Sequence, residues 1–335
     1  MLSKKAHTGR HLHCSSTGAQ NFMMGGTSLF LFLFLASLLT GCAGNTQDSQ
    51  DLSGKLSISG STALKPLVDV AAKEFMRQHP QVTITVAGGG SKTGLKNVND
   101  KVSDIGNSDI YVDPALYPDP NMTDHIICVA PFVMIVHPDI KVKSLSKEQL
   151  INILSNGKIT NWNQIEGGND QPIHPIVRPA TSGTRATFRK YILGGADELV
   201  GTPLNADDTD AVVNKVATTP GAIGYIGLSA LKPTVKTVAI DNYTPTAQTI
   251  SDGKYNFWSY EHMYTLGDNT PLLTQFLAFM TSPAIQKKAH DLSYITTEEI
   301  KPPKAVILPE QPFNRSSLAL SFSHESEVTR RESYN

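Results

Sequence analysis

The stretch Arg178-Pro179-Ala180-Thr181-Ser182-Gly183-Thr184-Arg185-Ala186-Thr187-Phe188-Arg189 is the segment from which the fold of this chain can be predicted. It follows an apolar run at 173–177, which is typical of a buried strand, and it leads into a predicted helix at 186–193. Ser182, Gly183 and Thr184 then lie at a helix N-terminus, where amides lack partners and the helix dipole is positive. With Arg178 they predict an anion site, although a Ser or Thr cap among solvated arginines would explain the same residues.

Two earlier turns repeat this arrangement. A predicted strand at 55–59 is broken by Gly60-Ser61-Thr62, and residues 64–76 then have the apolar spacing of an amphipathic helix. Ser61 or Thr62 is the expected N-cap, so capping and anion binding both remain open for this turn. A strand at 82–86 is followed by the glycine-rich turn 88–94 and a second helix face. That turn is not a nucleotide P-loop, because Ser91 and Val86 stand where the motif requires glycine.

The rest of the chain continues as strand, turn and helix, which predicts an α/β fold with helices on both faces of the sheet. A short strand at 104–109 ends in Asp109, and long apolar runs at 126–136 and 257–264 are expected to be crossing strands. A helix is predicted over 144–154, beginning at Ser144 or Ser146, and Trp162 is expected to pack in the core. In such sheets ligands bind beyond the carboxyl ends of the strands, where these turns lie.

The first segment has the features of a sorting signal. Basic residues precede an apolar core at 29–39, and Thr40-Gly41 then lead to Cys42. We therefore predict a lipoprotein signal peptide over 1–41, lipidation of Cys42 and a flexible tether over 42–51, with a plain secretory signal as the alternative. Translation from Met23 or Met24 would shorten the leader. Residues 305–335 are Ser-rich and charged, which predicts a disordered tail.

The composition of the chain argues against nucleic-acid binding and metal binding. The formal net charge is −1 and basic residues form no stripe with aromatics, so no nucleic-acid partner is expected. His11, His13 and Cys14 lie in the leader, and we predict no metal site and no cofactor. Cys128 lies in an apolar strand-like run, so we expect a buried thiol and no intramolecular disulfide in the mature chain.

Five motifs, in order, resemble the phosphate-binding protein of bacterial phosphate ABC transporters. The likeness covers about residues 52–304. It rests on Ser59-Gly60-Ser61-Thr62-Ala63-Leu64, Gly88-Gly89-Gly90-Ser91, Asp104-Ile105-Gly106-Asn107-Ser108-Asp109, Arg178 with Ser182-Gly183-Thr184-Arg185, and Trp258-Ser259-Tyr260-Glu261-His262.

The resemblance implies a two-lobe periplasmic-binding-protein fold of type II, each lobe a mostly parallel sheet flanked by helices. Lobe 1 is expected over 52–132 plus 258–304 and lobe 2 over 133–257, with a hinge near Val133 and Phe257. It also implies a monomeric, lipid-anchored extracytoplasmic receptor that gives inorganic phosphate to a membrane permease and its ATPase. The implied phosphate ligands are Ser61, Thr62, Ser91, Asp109, Arg178, Ser182, Gly183 and Thr184.

The chain departs from the family at Lys92, where a small residue is usual. We expect the Lys92 side chain to point outward, although a cation at the cleft is the alternative. This departure leaves the contacts of the turn 88–94 less certain than those of the other turns.

Asp109 is an unusual ligand for an anion. Phosphate near neutral pH keeps a P–OH group that can donate to a carboxylate, whereas sulfate has none and would leave two acceptors unpaired. We therefore expect Asp109 to select phosphate.

Three other functions are alternatives to phosphate transport. A phosphatase or esterase needs a nucleophile with a base or a metal, and the Gly-x-Ser-x-Gly elbow is missing because Gly106-Asn107-Ser108-Asp109-Ile110 lacks its last glycine. We therefore expect no catalytic residue. A phosphate-binding surface sensor or adhesin without transport, and a receptor for sulfate or molybdate, remain open, and Asp109 argues against the latter.

Overall fold

The computed structural model describes residues 52–199, 204–267 and 269–301 of the 335-residue chain. The predicted leader at 1–41, Cys42 with its tether, and the tail at 305–335 lie outside the described residues and stay predictions. Within these ranges, none of the helices combines the length and the apolar character that crossing a membrane requires.

The sheet is built from strands on either side of two long central ones. In chain order the described strands are β1 (Gly54–Gly60), β2 (Val82–Gly89), β3 (Ile105–Ser108), β4 (Met122–Val136), β5 (Ser144–Leu145), β6 (His174–Val177), β7 (Leu204–Asn205), β8 (Ala222–Gly227), β9 (Lys236–Ile240) and β10 (Trp258–Leu266). Their spatial order is β2-β1-β3-β10-β4-β8-β6-β7, and β9 pairs with β4 and with β5.

Helices connect most of these strands. They are α1 (Lys65–Gln78), α2 (Ser91–Asn99), α3 (Lys147–Leu154), α4 (Gly183–Tyr191), α5 (Thr209–Thr218), α6 (Ala247–Ser251), α7 (Pro271–Met280) and α8 (Pro283–Asp291), with short 3₁₀ turns at Trp162–Gln164 and Leu228–Ala230. The alternation of strands and helices confirms the predicted α/β class.

Parallel pairing brings the candidate turns to one edge of the sheet. β1 pairs in parallel with β2 and β3, and β6 pairs in parallel with β7 and β8. Ser61, Ser91, Asp109 and Arg178 each follow the carboxyl end of one of these strands, within two residues of its last residue. The antiparallel pairs all involve β4 or β10.

β4 runs through both parts of the sheet. Residues 122–131 pair with β10, and residues 132–136 pair with β8 and β9. The Phe132 amide also donates to the Phe257 carbonyl over 3.0 Å, just before β10 begins. The chain therefore passes between the two parts of the sheet at adjacent points, near Phe132 and Phe257.

Apolar side chains fill the space between the sheet and the helices. Buried residues of β1, α1, α7 and α8 pack with those of β4, and a second group forms around Val212, Val216 and Ile226. Trp162 and Cys128 are both fully buried, as predicted. Burial also raises the pKa of the Cys128 thiol well above its usual value, so the thiol is neutral.

Two predictions of helix ends were wrong. Residues 144–145 form β5, because they pair with β9, so the predicted helix start at Ser144 was wrong. The alternative start at Ser146 is confirmed: α3 begins at Lys147, and Ser146 is its N-cap in a capping box with Gln149. The N-cap position of α1 is Leu64, not Ser61 or Thr62. Ser61 instead caps the turn just before α1, where its Oγ accepts from the amides of Ala63 and Leu64, both at 3.1 Å.

Candidate functional site

Arg178 is a buried cation at the end of β6. Its side chain is 2 % exposed, and the Nη2 atom donates to Thr62 Oγ1 over 3.2 Å. Nη1 lies 3.4 Å from Thr209 Oγ1, and the two threonine hydroxyls are themselves 2.8 Å apart. This contact joins the first predicted turn, at 60–62, to the opening stretch at 178–189.

Asp109 is held against the N-terminus of α4. Thr184 donates from Oγ1 to Asp109 Oδ2 over 2.7 Å, and both side chains are buried. The other carboxylate oxygen, Oδ1, is buried and has no hydrogen-bond partner within the described residues. A buried acceptor of this kind needs a donor, which a protonated ligand can supply.

Ser91 connects the glycine-rich turn to Asp109. It is the first residue of α2, fully buried, and its Oγ accepts from the Asp109 amide over 2.8 Å. Gly183 lies against the same group, because a Cβ atom there would be 2.1 Å from Ser91 Oγ and 2.9 Å from Asp109 Cβ. Only glycine therefore permits this approach of α4 to Ser91.

Backbone contacts also join the glycine-rich turn 88–94 to the segment just before α4. The Lys92 amide donates to the Thr181 carbonyl over 3.1 Å, and Gly90, at φ +89°, would place a Cβ 2.5 Å from that oxygen. The Lys92 side chain is exposed, which agrees with its predicted outward direction.

The serine hydroxyls accept hydrogen bonds from the backbone without using up their own donor hydrogens. Ser61, Ser91 and Ser182 each accept from a backbone amide, Ser182 from Arg185 over 3.2 Å. Because a hydroxyl has one donor hydrogen as well as its lone pairs, each can still donate to an anion. The observed backbone contacts and anion binding are therefore compatible at all three turns.

The structure brings all eight predicted ligands to one edge of the sheet, and it adds two residues. Thr209, the first residue of α5, was missed because it follows no glycine-rich turn; its only signal was its place beside the capping residue Asp208. Glu261 belongs to the fifth motif but received no role. It is fully buried on β10, and the strand register places it across from Asp109.

Electrostatics at the site are dominated by burial. Burial lowers the pKa of Arg178 from its usual value, while the charge of Asp109 acts in the opposite direction. A second arginine contacts this residue: Arg185 donates from Nη1 to the Arg178 carbonyl over 2.8 Å. Arg185 also forms an ion pair with buried Glu198, with 2.5 Å between Nε and Oε2. Glu198 also accepts from the Tyr225 hydroxyl over 2.8 Å, and burial raises its pKa.

A cavity of about 600 Å³ lies beside the site. Asp109 is the predicted ligand that lines it, together with aromatic residues and with polar groups that include Lys190, Asn256 and His262. Among the described residues, His, Cys, Asp and Glu form no group of three or more arranged to hold a metal ion.

Comparisons with known proteins agree with this geometry. A family model described as a PBP superfamily domain matches residues 45–284. The chain is 38% identical over 294 residues to "Phosphate-binding protein PstS" of Bacillus subtilis, covering 83% of this chain and 97% of that protein.

Solved structures give the same result. The chain is similar to a putative phosphate ABC transporter substrate-binding protein with bound phosphate from Clostridium perfringens, at 28% identity and a TM-score of 0.68, covering 72% of this chain and 99% of that one. It is also similar to an ABC-type phosphate transport receptor from Vibrio cholerae, at 29% identity and a TM-score of 0.58, with the same coverage. The chain therefore belongs to the PBP superfamily, and within it to the family of the PstS phosphate-binding proteins.

Proposed function

We propose that this chain binds inorganic phosphate at the edge of the sheet where Arg178, Asp109 and the three Ser/Thr turns meet. The observation that carries the proposal is Asp109, a buried carboxyl group near Ser/Thr hydroxyls and Arg178, whose Oδ1 atom has no hydrogen-bond donor among the described residues. A protonated oxyanion satisfies both features, because its P–OH group donates to Asp109 and its other oxygens accept. The relatives are named as phosphate-binding proteins and phosphate receptors, which supports the same ligand.

The proposed ligands are Ser61, Thr62, Ser91, Asp109, Arg178, Ser182, Gly183 and Thr184, and we add Thr209. Their donors replace the water that an enclosed anion loses, since an unpaired oxyanion in a low dielectric is costly. Arg178 supplies the charge-assisted contact, and it is held in place by Thr62, Thr209 and the carbonyl of Asp207. The proposed activity is binding without chemical change, so no residue is assigned a catalytic role.

We assign lobe 1 to residues 52–132 plus 258–304 and lobe 2 to 133–257. The contact between the Phe132 amide and the Phe257 carbonyl supports a hinge at this boundary. Hinge closure would bring Ser91 and Asp109 against α4, and release would reverse it. The C. perfringens relative is described as an ABC transporter substrate-binding protein. We infer that the closed form of this chain delivers phosphate to a membrane permease driven by an ATPase.

We base a proposal for the location of the chain on its predicted leader. We propose that Cys42 is lipidated, that the tether at 42–51 holds the binding domain outside the cytoplasm, and that the domain acts as a monomer. Metabolic labelling with a fatty-acid analogue tests this directly. Label is expected on the wild-type chain and not on Cys42→Ser, and an unlabelled wild type would remove the anchor from the proposal.

Isothermal titration of the ligand-stripped protein tests the binding function. Phosphate is expected to bind one to one, and sulfate at the same concentration is expected to give no binding heat. Sulfate binding as tight as phosphate binding would leave the fold in place and remove the role of Asp109. If neither ion binds, the three turns have a structural role only, and the proposed function fails.

A further inference from the structure

We propose that Glu261 is a neutral carboxylic acid that donates its proton to Asp109 and thereby fixes Asp109 as the acceptor for the ligand P–OH group. Asp109 and Glu261 are called the carboxyl pair below. Glu261 would be a positioning residue that acts through Asp109 without touching phosphate, and its role in binding rests on the proposed function.

The strand register brings the two groups together. His262 of β10 pairs with Ser108 of β3 in antiparallel register, so the preceding residue of β10, Glu261, faces the residue after β3, Asp109. Directly opposed residues of an antiparallel pair place their Cβ atoms close together on the same face. Asp109 is accordingly among the neighbours that raise the pKa of Glu261, after burial.

Both members of the carboxyl pair have oxygens that accept no hydrogen bond from the described residues. Glu261 is 0 % exposed, and neither of its oxygens has a hydrogen-bond partner among the described residues; Asp109 Oδ1 is in the same position. The hydroxyls of Ser61 and Ser259 lie close to Glu261, but they do not complete hydrogen bonds to it. One proton shared between two facing carboxyl groups would satisfy an oxygen of each.

The surroundings of Glu261 favour its neutral form. The titratable groups that face it are Asp109 beyond β3, Cys128 on β4 and Tyr294 after α8. None of these can carry a positive charge, so a second buried anion would be uncompensated. Burial, followed by the neighbouring Asp109 charge, raises the pKa of Glu261 well above its usual value.

The proposed role of the carboxyl pair is to orient Asp109 for phosphate binding. Thr184 donates to Asp109 Oδ2, and a donor from Glu261 would hold the carboxylate from the other side. The lone pairs of Asp109 that remain are then available to the ligand. Only a ligand with a hydrogen-bond donor, such as a P–OH group, can satisfy them. Without the Glu261 donor, Asp109 could rotate or take the ligand proton itself.

A matched pair of variants tests the role in binding. Glu261→Leu removes the donor at similar volume, and Glu261→Gln restores a neutral donor. In titrations at pH 7, Glu261→Leu is expected to weaken phosphate binding about tenfold to a hundredfold, the range of a lost hydrogen bond to a charged group. Glu261→Gln is expected to recover most of this loss. The melting temperatures of both ligand-free variants are measured beside the titrations, so that a loss of binding is taken only from folded protein.

Infrared difference spectroscopy tests the protonation state independently of binding. At neutral pH the wild-type protein should show the C=O band of a protonated carboxylic acid, and this band should disappear in Glu261→Gln. The inference is overturned if the band is missing from the wild type, if it survives in Glu261→Gln, or if Glu261→Leu binds phosphate like the wild type. If the wild type shows the band but does not bind phosphate, the carboxyl pair stands and the proposed function fails.

Discussion

Arg178 donates to Thr62 over 3.2 Å, although the two residues are separated by 116 positions in the chain. Thr62 follows β1, whereas Arg178 follows β6, and these strands lie on opposite sides of the central pair β4 and β10. The guanidinium group is therefore positioned by a hydroxyl from the other part of the sheet. The position of the Arg178 guanidinium group therefore depends on how closely the two parts of the sheet approach each other.

Replacing Arg178 with lysine should weaken phosphate binding about tenfold or more. The ammonium group keeps the charge but cannot donate to Thr62, Thr209 and an anion in one plane. Titration calorimetry measures the loss. Arg189→Lys is the matched control, because Arg189 lies on α4, is partly exposed and pairs with Asp197. Equal affinities for the two variants would contradict the placement of Arg178 in the site.

Asp109→Asn should relax the rejection of sulfate. The amide can donate to an oxyanion that has no hydrogen, so the penalty for two facing acceptors disappears. The measurement is the ratio of sulfate to phosphate affinity, which should rise at least tenfold. A variant that rejects sulfate as strongly as the wild type would show that another residue selects the ligand.

Gly183→Ala should weaken phosphate binding more than it affects folding. The added methyl group would lie 2.1 Å from Ser91 Oγ, so α4 must move away from Ser91 and Asp109. Gly227→Ala is the control, because its Cβ would meet ordinary contacts of 3.4 Å or more. The expected pattern is a large loss of affinity for Gly183→Ala alone, with similar melting temperatures for both. Unchanged affinity in Gly183→Ala would show that this contact can open without cost.

The stability of the wild type should fall with rising pH relative to Glu261→Gln. Folded Glu261 has a raised pKa, so the folded state keeps a proton that the unfolded state releases above its ordinary pKa of 4.5. Since the unfolded state then binds fewer protons, the free energy of unfolding decreases with pH, by at most about 1.4 kcal/mol per unit. Urea unfolding of both proteins at several pH values measures the difference. Parallel pH profiles for the two proteins would contradict it.

The sequence predicted the elements of the site better than their ends. The apolar spacing of α1, β2 and α4 was sufficient to predict that these elements exist. An element with one buried face repeats its apolar residues at a fixed spacing, which can be read from the sequence. Residues 144–145 were assigned to a helix, since only their pairing with β9, about 95 residues later, makes them a strand. A short segment with little periodicity is decided by its partner.

The missed site residues share one cause. Thr209 looks like the first turn of an ordinary helix, and Glu261 looks like a polar residue in an alternating strand. Both matter because of neighbours far away in the chain: Thr62 and Arg178 for Thr209, and Asp109 for Glu261. Nothing local in either segment indicates such a neighbour.

By itself, the sequence determined the α/β class, the three Ser/Thr turns and the set of polar groups that an anion would need. Those are local properties, because hydrophobic periodicity and turn chemistry act within a few residues. Only the tertiary structure decided that Gly183 abuts Ser91, that Thr209 joins Arg178 and that Glu261 faces Asp109. These relationships depend on strand order and register, which are set by the packing of the whole sheet and not by any one segment.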